Sequence, residues 1–260
     1  MTTSTDLPSL QTFTLADLQP FTKEGAYAAN ASRDFHLFYV GRDDVHGILQ
    51  YLLSRARVSL YLNMFGYDDD ALNNECIRCA ADPTITTLIT LDQSQASGVH
   101  EKQLLSSDMA KDPAAFRTHI ITIGQSATQQ ISHTKGGVLD GRVGFEGSTN
   151  WSTSGEGTFV LKGQSGGPGY KAQNNTLTVF TDPDAVSRFT AELIAEHMAA
   201  TSGALTRTTT KAPTVVPSRT PAGTVSPPHS QAHPAPTGSS RVAARKPVDA
   251  PSSRPTRLRG

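Results

Sequence analysis

Residues 129–152 read QQISHTKGGVLDGRVGFEGSTNWS, and six positions within them fall into one gapless pattern, H-x-K-x4-D-x6-G-S-x-N, carried by His133, Lys135, Asp140, Gly147, Ser148 and Asn150. On an extended strand His133 and Lys135, two residues apart, project from the same face, so an ammonium stands beside an imidazole. The following GGVLDGRVGFEG is the pattern of a strand, a tight Asp140-Gly141 turn and a return strand. Such a hairpin carries Ser148 and Asn150 back toward His133 and Lys135. The residue types suit a phosphodiester: Lys135 as a point charge, the Ser148 hydroxyl and the Asn150 amide as donors. Fixed donors of this kind act most strongly when charge grows on the equatorial oxygens during displacement. A neutral imidazole attacking phosphorus forms a phosphohistidine, and the leaving alkoxide then needs a proton from a second acid, because one imidazole cannot do both jobs at once. Asp140, at the turn, is better suited to bonding local backbone N–H groups than to touching substrate.

Around this stretch the pattern predicts an α/β fold. A helix is expected over 45–55, a strand VSLYLNMF ending near Phe65, a helix over 71–80, and a strand TITTLITLD ending at Asp92. A strand TLTVF follows Asn175, and Asp182-Pro183-Asp184 opens a last helix, AVSRFTAELIAEHMAA.

The six-position pattern resembles the HKD signature of the phospholipase D superfamily, and Trp151 after Asn150 fits the aromatic usual there. The resemblance is strong at the motif and looser over the rest of 35–198. It implies a mixed central β-sheet with helices on both faces and a catalytic domain over 31–200, preceded by an N-terminal extension over 1–30. It also implies His133, Lys135, Ser148, Asn150 and Asp140 as the catalytic set, with no metal and no cofactor. Members of the superfamily work with two such motifs facing each other. The nearest second candidate here, His100-Glu101-Lys102, has Ser107 at the Asp position and no Gly-Ser-x-Asn after it, and reads as the polar start of a surface helix ending near Lys111. A homodimer is therefore implied, with one His133 as nucleophile and the other as general acid and then base.

Two features depart from the small endonucleases of the superfamily. They carry N-x-E-N before the strand that follows the motif, the Glu fixing the tautomer of the catalytic imidazole. Here that stretch is Ala172-Gln173-Asn174-Asn175, so Asn174 stands where the Glu would be and Asn175 beside it, with Glu156 the closest remaining carboxylate. The second departure is LKGQSGGPGYKAQ, a Gly-rich insertion bearing Lys162 and Lys171. It reads equally as a substrate-contacting flap or as a tolerated surface insertion.

The neutral overall charge hides an asymmetry: residues 1–200 hold 14 Lys plus Arg against 22 Asp plus Glu, while 201–260 hold 9 against 1. That tail has ten of the sixteen prolines and no Phe, Trp or Tyr, so it cannot bury enough surface to order itself and is expected to be disordered. Its positive charge suits contact with nucleic acid or another anionic surface. Residues 1–30 lack an apolar core behind a basic start, and no stretch is apolar enough to span a bilayer, which places the chain in the cytoplasm, or outside it by a route without a cleavable signal. Cys76 and Cys79 lack the further ligands a zinc site wants and are expected as free thiols, one packed and one near the surface. His36 and His119 read as sheet residues and His197 as a helix-end residue. No Asp/Glu cluster suggests a catalytic metal.

The leading reading is a metal-independent endonuclease acting on DNA or RNA. The alternatives are a phospholipase D-type lipase or transphosphatidylase, for which the polar 162–171 loop offers little apolar entrance, and a catalytically weakened nucleic-acid-binding module. The step from motif to substrate is analogy, since fold and motif fix the reaction and not the leaving group.

Overall fold

The computed structural model describes residues 9–95, 97–111, 120–123, 132–158, 163–164 and 166–209. Nine strands run in chain order: β1 Phe35–Tyr39, β2 Ser59–Met64, β3 Tyr67–Asp68, β4 Thr86–Asp92, β5 Ile120–Ile123, β6 Lys135–Leu139, β7 Val143–Gly147, β8 Trp151–Ser152 and β9 Thr176–Phe180. Seven form one mixed sheet in the order β1-β9-β7-β6-β2-β4-β5, and β3 and β8 pair separately. β2, β4 and β5 are parallel to their neighbours among one another. β6, β7, β9 and β1 add antiparallel.

The helices are α1 Val45–Leu53, α2 Asp70–Ala81, α3 Val99–Lys111, a single turn α4 Thr153–Glu156, and α5 Pro183–Thr209. Three of the long helices, α1, α2 and α5, are opened by an aspartate. Asp44 accepts from Gly47 N at 2.9 Å, Asp69 from Leu72 N at 2.8 Å and Asp182 from Ala185 N at 2.8 Å. Alternate residues of β2 and β4 (Leu60, Leu62, Met64; Ile89, Leu91) pack with Ile48, Leu49 and Leu52 of α1 and Leu72 of α2. The opposite face is closed by α5, whose Val186, Leu193 and Phe189 meet Val138, Tyr61 and Phe180. Central strands buried on both faces explain why SLYLNM and TTLITLD read as near-continuous apolar runs rather than alternations.

Several expectations need correction. Residues 9–30 are not an appendage: on two 3₁₀ turns, Leu10–Thr12 and Leu15–Phe21, Leu10, Leu15 and Leu18 lie in the main core. Cys76 and Cys79 are both buried free thiols, because positions i and i+3 of α2 face inward together. His197 is not at a helix end: α5 continues to Thr209, and His197 is buried with Nδ1 3.0 Å from Thr90 Oγ1. His36 lies on β1 as expected, whereas His119 and residues 210–260 of the basic tail fall outside the described residues. Among the described residues no helix is long and apolar enough to cross a membrane.

Candidate active site

β6 begins at Lys135, which pairs with Met64 at the end of β2. Lys135 is 4% exposed, yet its Nζ donates to the carbonyl of His133, 2.7 Å away, and lies 5.2 Å from the centroid of the Phe65 ring. Burial pushes its pKa below the usual lysine value. Among the described residues no carboxylate forms an ion pair with it. His133 is exposed, its ring 4.8 Å from Phe65. The backbone before it is anchored. Ser132 N donates to Asp92 Oδ2 at 3.0 Å, Ser132 Oγ donates to Asn63 Oδ1 at 2.7 Å, and the Asn63 amide donates to Glu196 on α5. Phe65, Asn63, Asp92 and Glu196 went unread in the sequence. Only Asn63 and Asp92 leave a signal there, as polar residues in otherwise apolar strands.

Asp140 sits at the other end of β6 from Lys135. With φ of 53° at Asp140 and 62° at Gly141 the hairpin turns as the Asp-Gly pair requires. Its carboxylate accepts from Arg57 N at 3.0 Å, Val58 N at 2.8 Å and Ser59 N at 3.0 Å. The bonded amides belong to the chain entering β2, 81 to 83 positions earlier, rather than to the turn itself. Asp140 is therefore removed from the reacting end and ties the hairpin to the strand beside it.

The Gly-Ser-x-Asn segment leaves β7 at the Lys135 end of the hairpin, since Gly136 pairs with Glu146. A Cβ on Gly147 would lie 2.0 Å from Thr176 O, so no side chain fits where β7 meets β9. Gly147→Ala is expected to cost about 1–2 kcal/mol by forcing these backbones apart, read as a lower denaturation midpoint at unchanged slope. Ser148 Oγ accepts from Thr176 N at 3.0 Å and donates to Asn175 Oδ1 at 3.2 Å. Its hydroxyl is thus occupied in joining the segment to β9 rather than offered to a ligand. Asn175 Nδ2 donates to Gly155 O at 2.9 Å, completing the same link. Asn150 packs against Gly66, and its Oδ1 is buried without a hydrogen-bond partner among the described residues.

Neither carboxylate substitute expected from the sequence reaches His133. Asn174 is exposed, and among the described residues no side chain hydrogen-bonds the His133 ring. Glu156 is engaged elsewhere. Its Oε2 is 2.6 Å from His46 Nδ1, which also stands 3.5 Å from Asp69 Oδ2. Burial raises the Glu156 carboxyl to about 7, and the bond to Glu156 raises the His46 imidazole. His46 and Asp69 were missed because their partner is more than eighty positions away. In the inserted loop, Lys171 is exposed and Tyr170 Oη donates to Thr153 O at 3.3 Å, while Lys162 lies outside the described residues. His100 is held between Asp68 and Asp70 at 2.9 and 2.8 Å, and Glu101 is buried, so His100-Glu101-Lys102 is a structural bracket and its Glu is not a surface residue.

No family model matches the chain, and no curated protein matches it. Among solved structures, it is similar to Nuc of Salmonella typhimurium, described as a phospholipase D family member: 12% identity, 64% of this chain and 94% of that one, TM-score 0.47. NucT from Helicobacter pylori aligns at 14% identity over 64% of this chain and 96% of that one, TM-score 0.42. Phosphatidylserine synthase of Haemophilus influenzae aligns at 10% identity over 72% of this chain and 46% of that one, TM-score 0.45. The likeness to these proteins is one of overall chain path.

Proposed function

We propose that the protein is a metal-independent phosphodiesterase, an endonuclease in which two copies of the chain each lend His133 to one phosphate. The observation that carries this reading is Lys135. A buried ammonium with a backbone carbonyl as acceptor and no carboxylate partner among the described residues is costly to hold, unless an anion arrives to use its remaining donors. The exposed imidazole of His133 stands beside it.

An imidazole nitrogen of one His133 attacks phosphorus as the bond to the leaving oxygen breaks, and that oxygen takes a proton from the imidazolium of the second copy. Water, deprotonated by the now neutral second imidazole, then displaces the histidine and releases the phosphomonoester. Lys135 from both copies offsets charge on the equatorial oxygens. Asn150 lies at the same end of the hairpin, where its amide is a donor for the phosphate oxygens. The basic residues beyond 200 would add a sequence-independent attraction to nucleic acid.

The test is a parallel assay of plasmid DNA, RNA and phosphatidylcholine with EDTA present. Nicking of nucleic acid in chelator is the expected result. Strict dependence on added magnesium overturns the two-histidine mechanism, and turnover confined to phosphatidylcholine reassigns the substrate to lipid.

A further inference from the structure

His46 in the first turn of α1, Asp69 capping α2 and Glu156 in α4 place one imidazole nitrogen and two carboxylate oxygens within 4.8 Å of one another. We propose that this trio is a binding site for a divalent transition ion of the zinc class, one that clamps α4 and the Gly-Ser-x-Asn segment to the starts of α1 and α2. This proposal stands independently of the phosphodiesterase reading.

Three observations carry it. The Glu156 side chain is fully buried, and its Oε1 has no hydrogen-bond partner among the described residues, although the nearby Ser152 amide favours its charged form. A carboxylate oxygen withdrawn from water without a partner is expensive, and a cation in the trio would satisfy it. Secondly, Asp69 keeps one oxygen for the purpose: it uses Oδ1 to cap α2 and turns Oδ2 toward His46. Thirdly, even with a proton held between His46 and Glu156 the trio keeps a net negative charge in a part-buried space, and Asp44 on the same helix start adds to it. Among the described residues no Lys or Arg forms an ion pair with any of the three. A dication cancels that charge. The imidazole argues for a zinc-class ion over magnesium or calcium, which prefer all-oxygen sets. On binding, the ion takes the place of the proton shared by His46 Nδ1 and Glu156 Oε2, and that proton leaves to solvent.

Three ligands from the protein leave coordination positions for water. The ligands come from three separate elements, so the ion would cross-link segments far apart in sequence. Its removal should lower stability, while turnover in chelator, measured well below the melting temperature, is retained.

The full-length protein, stripped with EDTA and then freed of it, is titrated with zinc, manganese and magnesium chlorides by calorimetry and thermal melting. One equivalent of zinc is expected to bind at micromolar affinity or tighter and to raise the melting temperature by about 5 °C, with magnesium far weaker. Asp69→Asn, which keeps an oxygen to cap α2, and His46→Ala should each weaken zinc binding by about tenfold or more. Variants that bind zinc as tightly as the parent, or a parent that takes up no stoichiometric ion, overturn the site. Should a variant not fold, cobalt on the unmodified protein reads the ligand set directly: a visible d–d band and hyperfine-shifted ring protons from a single histidine support the trio, and their absence refutes it.

Discussion

Replacing His133 by alanine is expected to lower phosphodiester turnover by about 10⁴-fold or more, since in a two-copy site the change removes the nucleophile and the proton donor together. Stability should be nearly untouched, because the exposed ring rests against Phe65 and, among the described residues, gives no side-chain hydrogen bond to the fold. The stronger form of the experiment mixes subunits. Co-expressed parent and His133→Ala chains form parent, mixed and doubly substituted dimers. If each phosphate needs an imidazole from both copies, activity follows the square of the parent fraction. A linear dependence would show that one His133 suffices, and full activity of the pure variant would remove His133 from the chemistry. Trapping a phosphorylated parent chain by acid quench adds a readout that a purely structural histidine would not give.

Asp140→Ala should have the opposite profile, a large loss of stability with chemistry intact in the folded fraction. The substitution strips the acceptor from the Arg57, Val58 and Ser59 amides at the entry to β2. It also puts alanine at a φ of 53°, a region that aspartate and asparagine tolerate better. Together these amount to about 3–4 kcal/mol, allowing for partial hydration of the freed amides. Asp140→Asn, which keeps one acceptor oxygen and the tolerance of the turn, should recover about half of it. Urea unfolding followed by fluorescence of Trp151 measures the loss. Turnover per folded molecule should stay within a few-fold of the parent. Normal stability with abolished turnover would instead place Asp140 in the reaction.

Local chemistry made much of the fold legible. The Asp140-Gly141 turn, the Asp182 cap of α5 and the apolar runs of β2 and β4 each announce themselves within a few residues. The motif likewise placed His133, Lys135, Ser148 and Asn150 at one end of one hairpin. Partnerships across long stretches of chain were what escaped. Leu10, Leu15 and Leu18 have no helical period to reveal them, being on 3₁₀ turns, so their burial depends on the core they meet. Glu156 is drawn to His46, and Asp140 to the entry of β2, by neighbours that only the folded sheet brings near. Ser148 shows the same limit at shorter range, since its occupation depends on β9 lying alongside β7.

The inward turn of both cysteines has a practical consequence. Cys76 and Cys79, the chain's two cysteines, are sunk in the core, and burial pushes the Cys79 thiol up to about 11 and Cys76 higher still. Thiolate is the form that alkylating dyes capture, so native protein should take up almost none at neutral pH. An Asn174→Cys or Lys171→Cys change on the exposed stretch before β9 would then carry a single fluorophore without first building a cysteine-free background.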